Sequence, residues 1–148
     1  MDFIDTHTHL FSSKFEGDNE AAVKRAIESG ESKMFLPNID MESITPMLDL
    51  AAAFPKNCFP TIGLHPCDVK EDYKTVLTNM KALISKHKFY AIGETGLDLY
   101  WDKESLPLQI ESLKIQIGWA KELDLPIIIH ARESYEELFE IFDELNDE

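Results

Sequence analysis

Short apolar runs alternate with longer amphipathic ones along this chain. Phe3-Ile4, Lys33-Met34-Phe35-Leu36, Cys58-Phe59-Pro60-Thr61-Ile62, Phe89-Tyr90-Ala91-Ile92 and Pro126-Ile127-Ile128-Ile129 are brief, rich in Phe and Ile, and bounded by Gly, Pro or charged residues. Such runs predict strands. Between them apolar positions recur at steps of three and four, lining one face of a helix. Ile44, Met47, Leu48 and Ala51 form one such face, and Leu77, Met80, Leu83 and Ile84 another. Leu106, Ile110, Leu113, Ile117 and Ala120 form a third, and Leu138, Phe139, Phe142 and Leu145 a fourth. About five βα units of roughly 25 residues follow, and this alternation implies parallel strands joined by helical crossovers. Near-continuous apolar character is expected of strands that helices cover.

Five units fit two architectures. A closed (β/α)₈ barrel needs eight and typically about 250 residues. The 148 residues therefore form either a small open α/β sheet or about five-eighths of a barrel. They contain no linker, repeat or low-complexity stretch, so one domain over residues 1–148 is expected. An apolar fraction of 44% sustains a core. No apolar stretch approaches the ~18 residues of a membrane span, and the N-terminus lacks the basic and apolar regions of a secretory signal. Cys58 and Cys67 are too few for a disulfide framework and read as free thiols. These features predict a soluble cytoplasmic enzyme. A net charge of −14, from 14 basic and 28 acidic residues, offers little to neutralise nucleic-acid phosphates directly. Either the partner is not a nucleic acid, or bound cations supply the positive charge locally.

The histidines carry the chemistry. His7 and His9 follow the first apolar run, His65 follows the third, and His130 ends the fifth; Glu94 follows the fourth. In parallel α/β folds the C-terminal strand ends are the edge where active sites form. Side chains at i and i+2 of a strand point the same way, so His7 and His9 can grip one cation. Asp5 lies one step further back, as a ligand or as an acceptor that orients a histidine. Imidazoles with a carboxylate suit Zn²⁺ or Mn²⁺, and carboxylates also take Mg²⁺. A glutamate can bridge two cations, and a pair about 3.5–4 Å apart is a standard device for phosphodiester hydrolysis. His87, flanked by Lys86 and Lys88, reads as a solvated surface residue.

Asp5-Thr6-His7-Thr8-His9-Leu10, Gly63-Leu64-His65-Pro66, Gly93-Glu94-Thr95-Gly96-Leu97-Asp98 and Pro126-Ile127-Ile128-Ile129-His130-Ala131-Arg132 together resemble the TatD family of metal-dependent deoxyribonucleases. The likeness runs the length of the chain. It implies a (β/α)₈ barrel related to amidohydrolases, of which this chain covers about the first five units, two divalent ions (Mg, Mn or Zn), and hydrolysis of DNA, often exonucleolytic. Position by position, His7 and His9 match family ligands, Glu94 the carboxylate that reaches both ions, and His130 a ligand of the second ion. His65 matches the Gly-x-His-Pro motif and is expected to face substrate. Arg132 is placed to clamp a phosphate or to serve as an ordinary cap or salt-bridge arginine, and Asp98 to shape the loop after the fourth strand. Leu99 stands where relatives more often carry an aromatic.

The family's later strands bring a further histidine ligand and an aspartate that helps position the attacking water, and neither lies within these 148 residues. The chain is accordingly expected to belong to a longer product of about 250 residues. Rival readings keep the metal but change the substrate, to an aminoacyl ester or an amide, or make the chain an inactive half-barrel whose edge strands invite association.

Overall fold

The computed structural model describes residues 2–146; the single-domain expectation also takes in residues 1, 147 and 148, which lie outside the described residues. Five strands alternate with five helices, as the patterning predicts. They are β1 (Phe3–Asp5), α1 (Asn19–Glu28), β2 (Glu31–Leu36), α2 (Met41–Ala53), β3 (Cys58–Pro60), α3 (Tyr73–Ile84), β4 (Ile92–Asp98), α4 (Leu106–Leu123), β5 (Ile127–Arg132) and α5 (Tyr135–Leu145). β1, β2 and β3 pair in parallel in that order, and β4 pairs in parallel with β5. A parallel bridge from Ile62 to Ile92 links the two sheets. The strands thus lie side by side in chain order, each crossover carrying one α-helix.

Local chemistry explains the start of α2. Asp40 accepts from Ser43 N at 2.8 Å while Ser43 Oγ accepts from Asp40 N at 3.0 Å, a reciprocal cap that starts α2. α1 escaped the periodicity reading because its inward face is the modest set Ala22, Val23, Ala26 and Ile27 within a charged segment. α5 turns slightly from expectation: Leu138 and Ile141 are buried, whereas Phe139 is 64% exposed.

β4 corrects the predicted strand boundary. Of the apolar run Phe89–Ile92 only Ile92 belongs to it; Phe89 and Ala91 are buried ahead of it, and Tyr90 N donates to Pro60 O at 3.0 Å. The strand itself is Ile-Gly-Glu-Thr-Gly-Leu-Asp, every residue of it buried. Glu94 therefore lies inside its strand rather than after it, and His130 lies within β5 rather than at its end. Burial also differs at the other edge. β1 has one hydrogen-bonded neighbour among the described residues, and its Phe3 and Ile4 are 52% and 56% exposed.

Two apolar clusters fill the interior. The larger holds Val23, Met34, Leu36, Met47, Ile62, Leu77 and Met80, between β2, β3 and the first three helices. The smaller holds Leu97, Leu113, Ile117, Leu138 and Ile141, between β4, α4 and α5, and Ile127 packs against both. Of the predicted helical face, Leu106, Ile110, Leu113 and Ile117 wall the smaller cluster, while Ala120 packs in the larger one.

Gly96 sets the close approach of β4 to β5. Its φ is +147°, and a Cβ there would meet the His130 carbonyl oxygen at 2.0 Å. Gly118 is the contrasting case, exposed on α4 with nothing within 4 Å of an added methyl. Gly118→Ala is expected to raise stability by about 0.5–1 kcal/mol, the ordinary helix-interior difference. Gly96→Ala is expected to lower it by about 2 kcal/mol or more, through backbone strain and strand separation. Urea denaturation of the two variants checks both signs.

Candidate metal centre

Glu94 is the hub of the site. It points from a fully buried strand with its side chain 6% exposed, a costly place for a charge unless partners surround it. They do. Oε2 lies 3.1 Å from His7 Nε2 and 3.4 Å from His9 Nε2. Oε1 lies 3.0 Å from His130 Nδ1 and 3.7 Å from His65 Nε2. The imidazoles also approach in pairs, His7 Nε2 to His9 Nε2 at 3.2 Å and His65 Nε2 to His130 Nδ1 at 3.1 Å. The four histidines singled out by sequence thus come together on one carboxylate. His87 stays exposed beyond α3.

Two donor groups result, His7–His9–Glu94 and His65–Glu94–His130. Donor atoms around one tetrahedral cation with bonds of about 2.0–2.1 Å stand roughly 3.3 Å apart. The first group has edges of 3.1, 3.2 and 3.4 Å, so it fits one face of such a polyhedron. The second is nearly as regular, with edges of 3.0, 3.1 and 3.7 Å. The donor set, nitrogens with a carboxylate, is that of Zn²⁺ or Mn²⁺ sites. His9 Nδ1 is buried with no hydrogen-bond partner among the described residues.

Around these donors lies a shell that fixes their orientation. Asp98 Oδ2 sits 2.9 Å from His130 Nε2, leaving Nδ1 to face Glu94. Asp98 Oδ1 accepts from Tyr100 N and Trp101 N at 3.0 and 3.1 Å, so the same carboxylate also shapes the loop, as expected from sequence. Its contact with His130 was not anticipated, although Glu94, Gly96 and Asp98 share one strand face by period two. Cys67 N donates to His65 Nδ1 at 3.1 Å, which places the proton of a neutral His65 on Nε2. His65 is therefore better prepared to donate a hydrogen bond than to ligate. Asp5 accepts from His7 N at 2.9 Å and joins neither donor group. Arg132 is exposed at the end of β5, its guanidinium 3.7 Å from the Tyr100 ring centre.

Three buried amides hold the strand ends, and sequence patterning gave no sign of them. Gln109 Oε1 accepts from Asp98 N and Gln116 Oε1 from Leu64 N, both at 2.8 Å. The two glutamines lie two turns apart on one face of α4, so a single helix pins β4 and the His65 loop together. Asn38 donates to Gly63 O at 2.8 Å, and its own carbonyl accepts from Glu94 N at 2.9 Å.

Electrostatics follow from this packing. Burial opposes ionisation of Glu94, yet hydrogen bonds from His130 and His9 and the facing His65 and His7 hold its carboxyl well below the usual range. Hydrogen bonding to Glu94 raises His130 against burial, with Asp98 adding to the effect. Burial pushes His65 down to about 4, outweighing the attraction of Glu94. The Cys67 thiol is driven up to about 12, first by burial and then by the Asp98 carboxylate beside it.

A family model described as TatD related DNase matches residues 4–148. The chain belongs to this family. It is 34% identical over 141 residues to the uncharacterized metal-dependent hydrolase YabD of Bacillus subtilis, covering 95% of this chain and 55% of that protein. It is 31% identical over 138 residues to the protein named 3′-5′ ssDNA/RNA exonuclease TatD of Erwinia tasmaniensis, covering 93% and 53%. The crystal structure of the Escherichia coli TatD homologue YjjV superposes with a TM-score of 0.87 at 32% identity, over 96% of this chain and 55% of that one. The chain spans about half the length of the curated relatives it matches.

The histidine shifts carry a sign for stability in acid. A buried histidine with a depressed pKa contributes fully above its ordinary 6.5, and that contribution is lost as pH falls towards about 4. Glu94 acts the same way lower down, its contribution present above its ordinary 4.5. His130, being raised, contributes fully below 6.5 and loses its share only as pH climbs through its elevated value. The metal-free protein should lose urea resistance between pH 6.5 and 4, and His65→Gln should flatten that loss. An unchanged slope in the variant would remove His65 as its source.

Proposed function

We propose that this chain carries the leading part of a two-cation phosphodiesterase site within a (β/α)₈ barrel, acting on DNA or RNA strands as a TatD-type exonuclease. One observation carries the reading: a single buried carboxylate offers each of its oxygens to a separate group of imidazoles at metal-ligand spacing. Sequential parallel strands with one helix per crossover support the barrel. Relatives named as metal-dependent hydrolases and 3′-5′ ssDNA/RNA exonucleases support the chemistry and the substrate.

In this reading His7, His9 and Glu94 hold one divalent cation (Mg, Mn or Zn), and Glu94 with His130 holds the other. Bound cations supply Lewis acidity towards a phosphodiester and a more acidic water. The chain's own residues do the rest. Glu94, held towards its ionised form by the surrounding imidazoles, supplies the negative charge between the two groups. Asp98 accepts the outer proton of His130 and keeps its inner nitrogen turned to Glu94. His65, its Nδ1 occupied by Cys67 N, turns Nε2 to the cluster 3.1 Å from His130 Nδ1, where an incoming phosphate oxygen would compete for its proton. Arg132 adds a fixed positive charge at the rim. The remaining histidine and the aspartate that positions water are expected from outside these residues. Free thiols at Cys58 and Cys67 fit a cytoplasmic setting, and among the described residues no helix is long and apolar enough to cross a membrane.

Glu94→Ala removes the one group common to both donor sets. Degradation of single-stranded DNA with Mg²⁺ or Mn²⁺ should fall by at least about 10³-fold, the scale of losing a residue that holds the catalytic cations. Full activity in that variant would sink the reading, and faster turnover of aminoacyl-tRNA than of DNA would move it to another ester.

The exposed edge of β1 favours one companion reading, in which this half-barrel associates through its unpaired strands. Phe3 and Ile4 leave apolar surface beside unpaired backbone donors and acceptors. Size-exclusion chromatography with light scattering should then find a dimer or larger species, which Phe3→Glu disperses. A wild-type monomer with bound metal and nuclease activity would exclude it.

A further inference from the structure

Beside the histidine cluster stands an aromatic rim that the hydrolytic chemistry does not require. The loop after β4 projects Tyr100 and Trp101, which are 50% and 70% exposed. Their ring centres are 4.8 Å apart with planes at 89°. The Arg132 guanidinium lies 3.7 Å from the Tyr100 centre and 5.4 Å from that of Trp101, within cation–π range of both. No carboxylate forms a salt bridge with Arg132 among the described residues, although the chain holds 28 acidic side chains.

The rim is tied to the cluster rather than merely near it. Asp98 lies opposite Arg132 in the β4–β5 register. One oxygen of Asp98 holds the backbone of Tyr100 and Trp101, and the other holds His130. A shift of this loop therefore passes through one buried carboxylate to a donor of the candidate metal centre. Scattered exposed aromatics need no explanation. Two adjacent ones, ordered by the same group that orders the site and stacked on an unpaired arginine, do.

We propose that Tyr100, Trp101 and Arg132 form a subsite that stacks one nucleobase of a single strand whose phosphate lies at the Glu94 cluster. This rests on the phosphodiesterase reading and adds to it where the base goes. One side of Tyr100 is taken by the guanidinium, so the largely exposed indole of Trp101 is the stacking surface. Every base has a π-face, so such a surface tolerates any sequence. Bases inside a duplex have no free face to offer, so the subsite favours single strands over duplex. Arg132, stacked through its plane, keeps its N–H edge for the backbone of the same strand.

The experiment compares two labelled oligonucleotides of equal length with phosphorothioate linkages, one base-bearing and one abasic, bound to the metal-loaded chain and read by fluorescence anisotropy. Trp101→Ala is expected to weaken the base-bearing strand about tenfold or more, the usual effect of removing one stacking partner. The abasic strand should be unaffected, and Trp101→Phe should recover most of the loss. Intrinsic fluorescence gives a second readout, because Trp119 is only 7% exposed and quenching by the base-bearing strand reports Trp101. Equal losses on both strands, or no loss on either, would overturn the subsite and leave the phosphodiesterase reading standing. Failure of the wild-type chain to bind either strand would overturn both.

Discussion

Everything at the centre of this molecule depends on keeping one carboxylate charged in a place largely shielded from water. Glu94 is 6% exposed, and its desolvation is the largest single influence on its ionisation. Four imidazoles offset that cost. The carboxylates of Glu94 and Asp98 flank the His130 ring at its two nitrogens and favour its protonated form. A cation held by Glu94 and His130 would need the His130 nitrogen free of its proton, which would couple binding to pH. The site is thus built to attract positive charge before anything is bound in it.

The surrounding fold can be read as the means of holding that arrangement. Gly96 lies directly opposite His130 in the register, with Glu94 and Asp98 two residues to either side of it. Having no side chain, Gly96 lets the His130 backbone come close, and the imidazole of His130 reaches from Glu94 at Nδ1 to Asp98 at Nε2. The buried amides Gln109, Gln116 and Asn38 serve the same end from behind, capping backbone groups that the irregular strand ends leave unpaired.

The sequence showed the alternation of strands and helices, because periodicities of two and 3.6 leave clear traces in runs such as Pro126–Ile129 and Leu106–Ala120. It also showed the four histidines and Glu94, because these residue types are conspicuous beside strand ends. β4 was misplaced for a physical reason. Its residues include two glycines, a glutamate and an aspartate, and it is buried by close backbone contact rather than by apolar side chains. The role of Asp98 towards His130, and of Cys67 N towards His65, depends on pairing across 32 residues or on loop geometry, neither of which leaves a periodic signal. Exposure of Phe3 and Ile4 was equally illegible, since an apolar run does not say how many neighbours its strand will find.

The net charge of −14 has a physical consequence for binding. Acidic surface repels a polyanionic strand at distances up to a Debye length, about 8 Å in physiological salt. Attraction must then be local and short-ranged, and the structure offers two sources of it. One is the histidine cluster, whose donors are spaced to gather cations. The other is Arg132, which stands at the same edge and forms no salt bridge among the described residues. Under the proposed function, a strand that reached this edge would find bound cations for its phosphate and aromatic surface for a base, while the acidic remainder of the chain would repel it. Selectivity for a strand end or an unpaired stretch would then follow from that contrast as much as from the shape of the site.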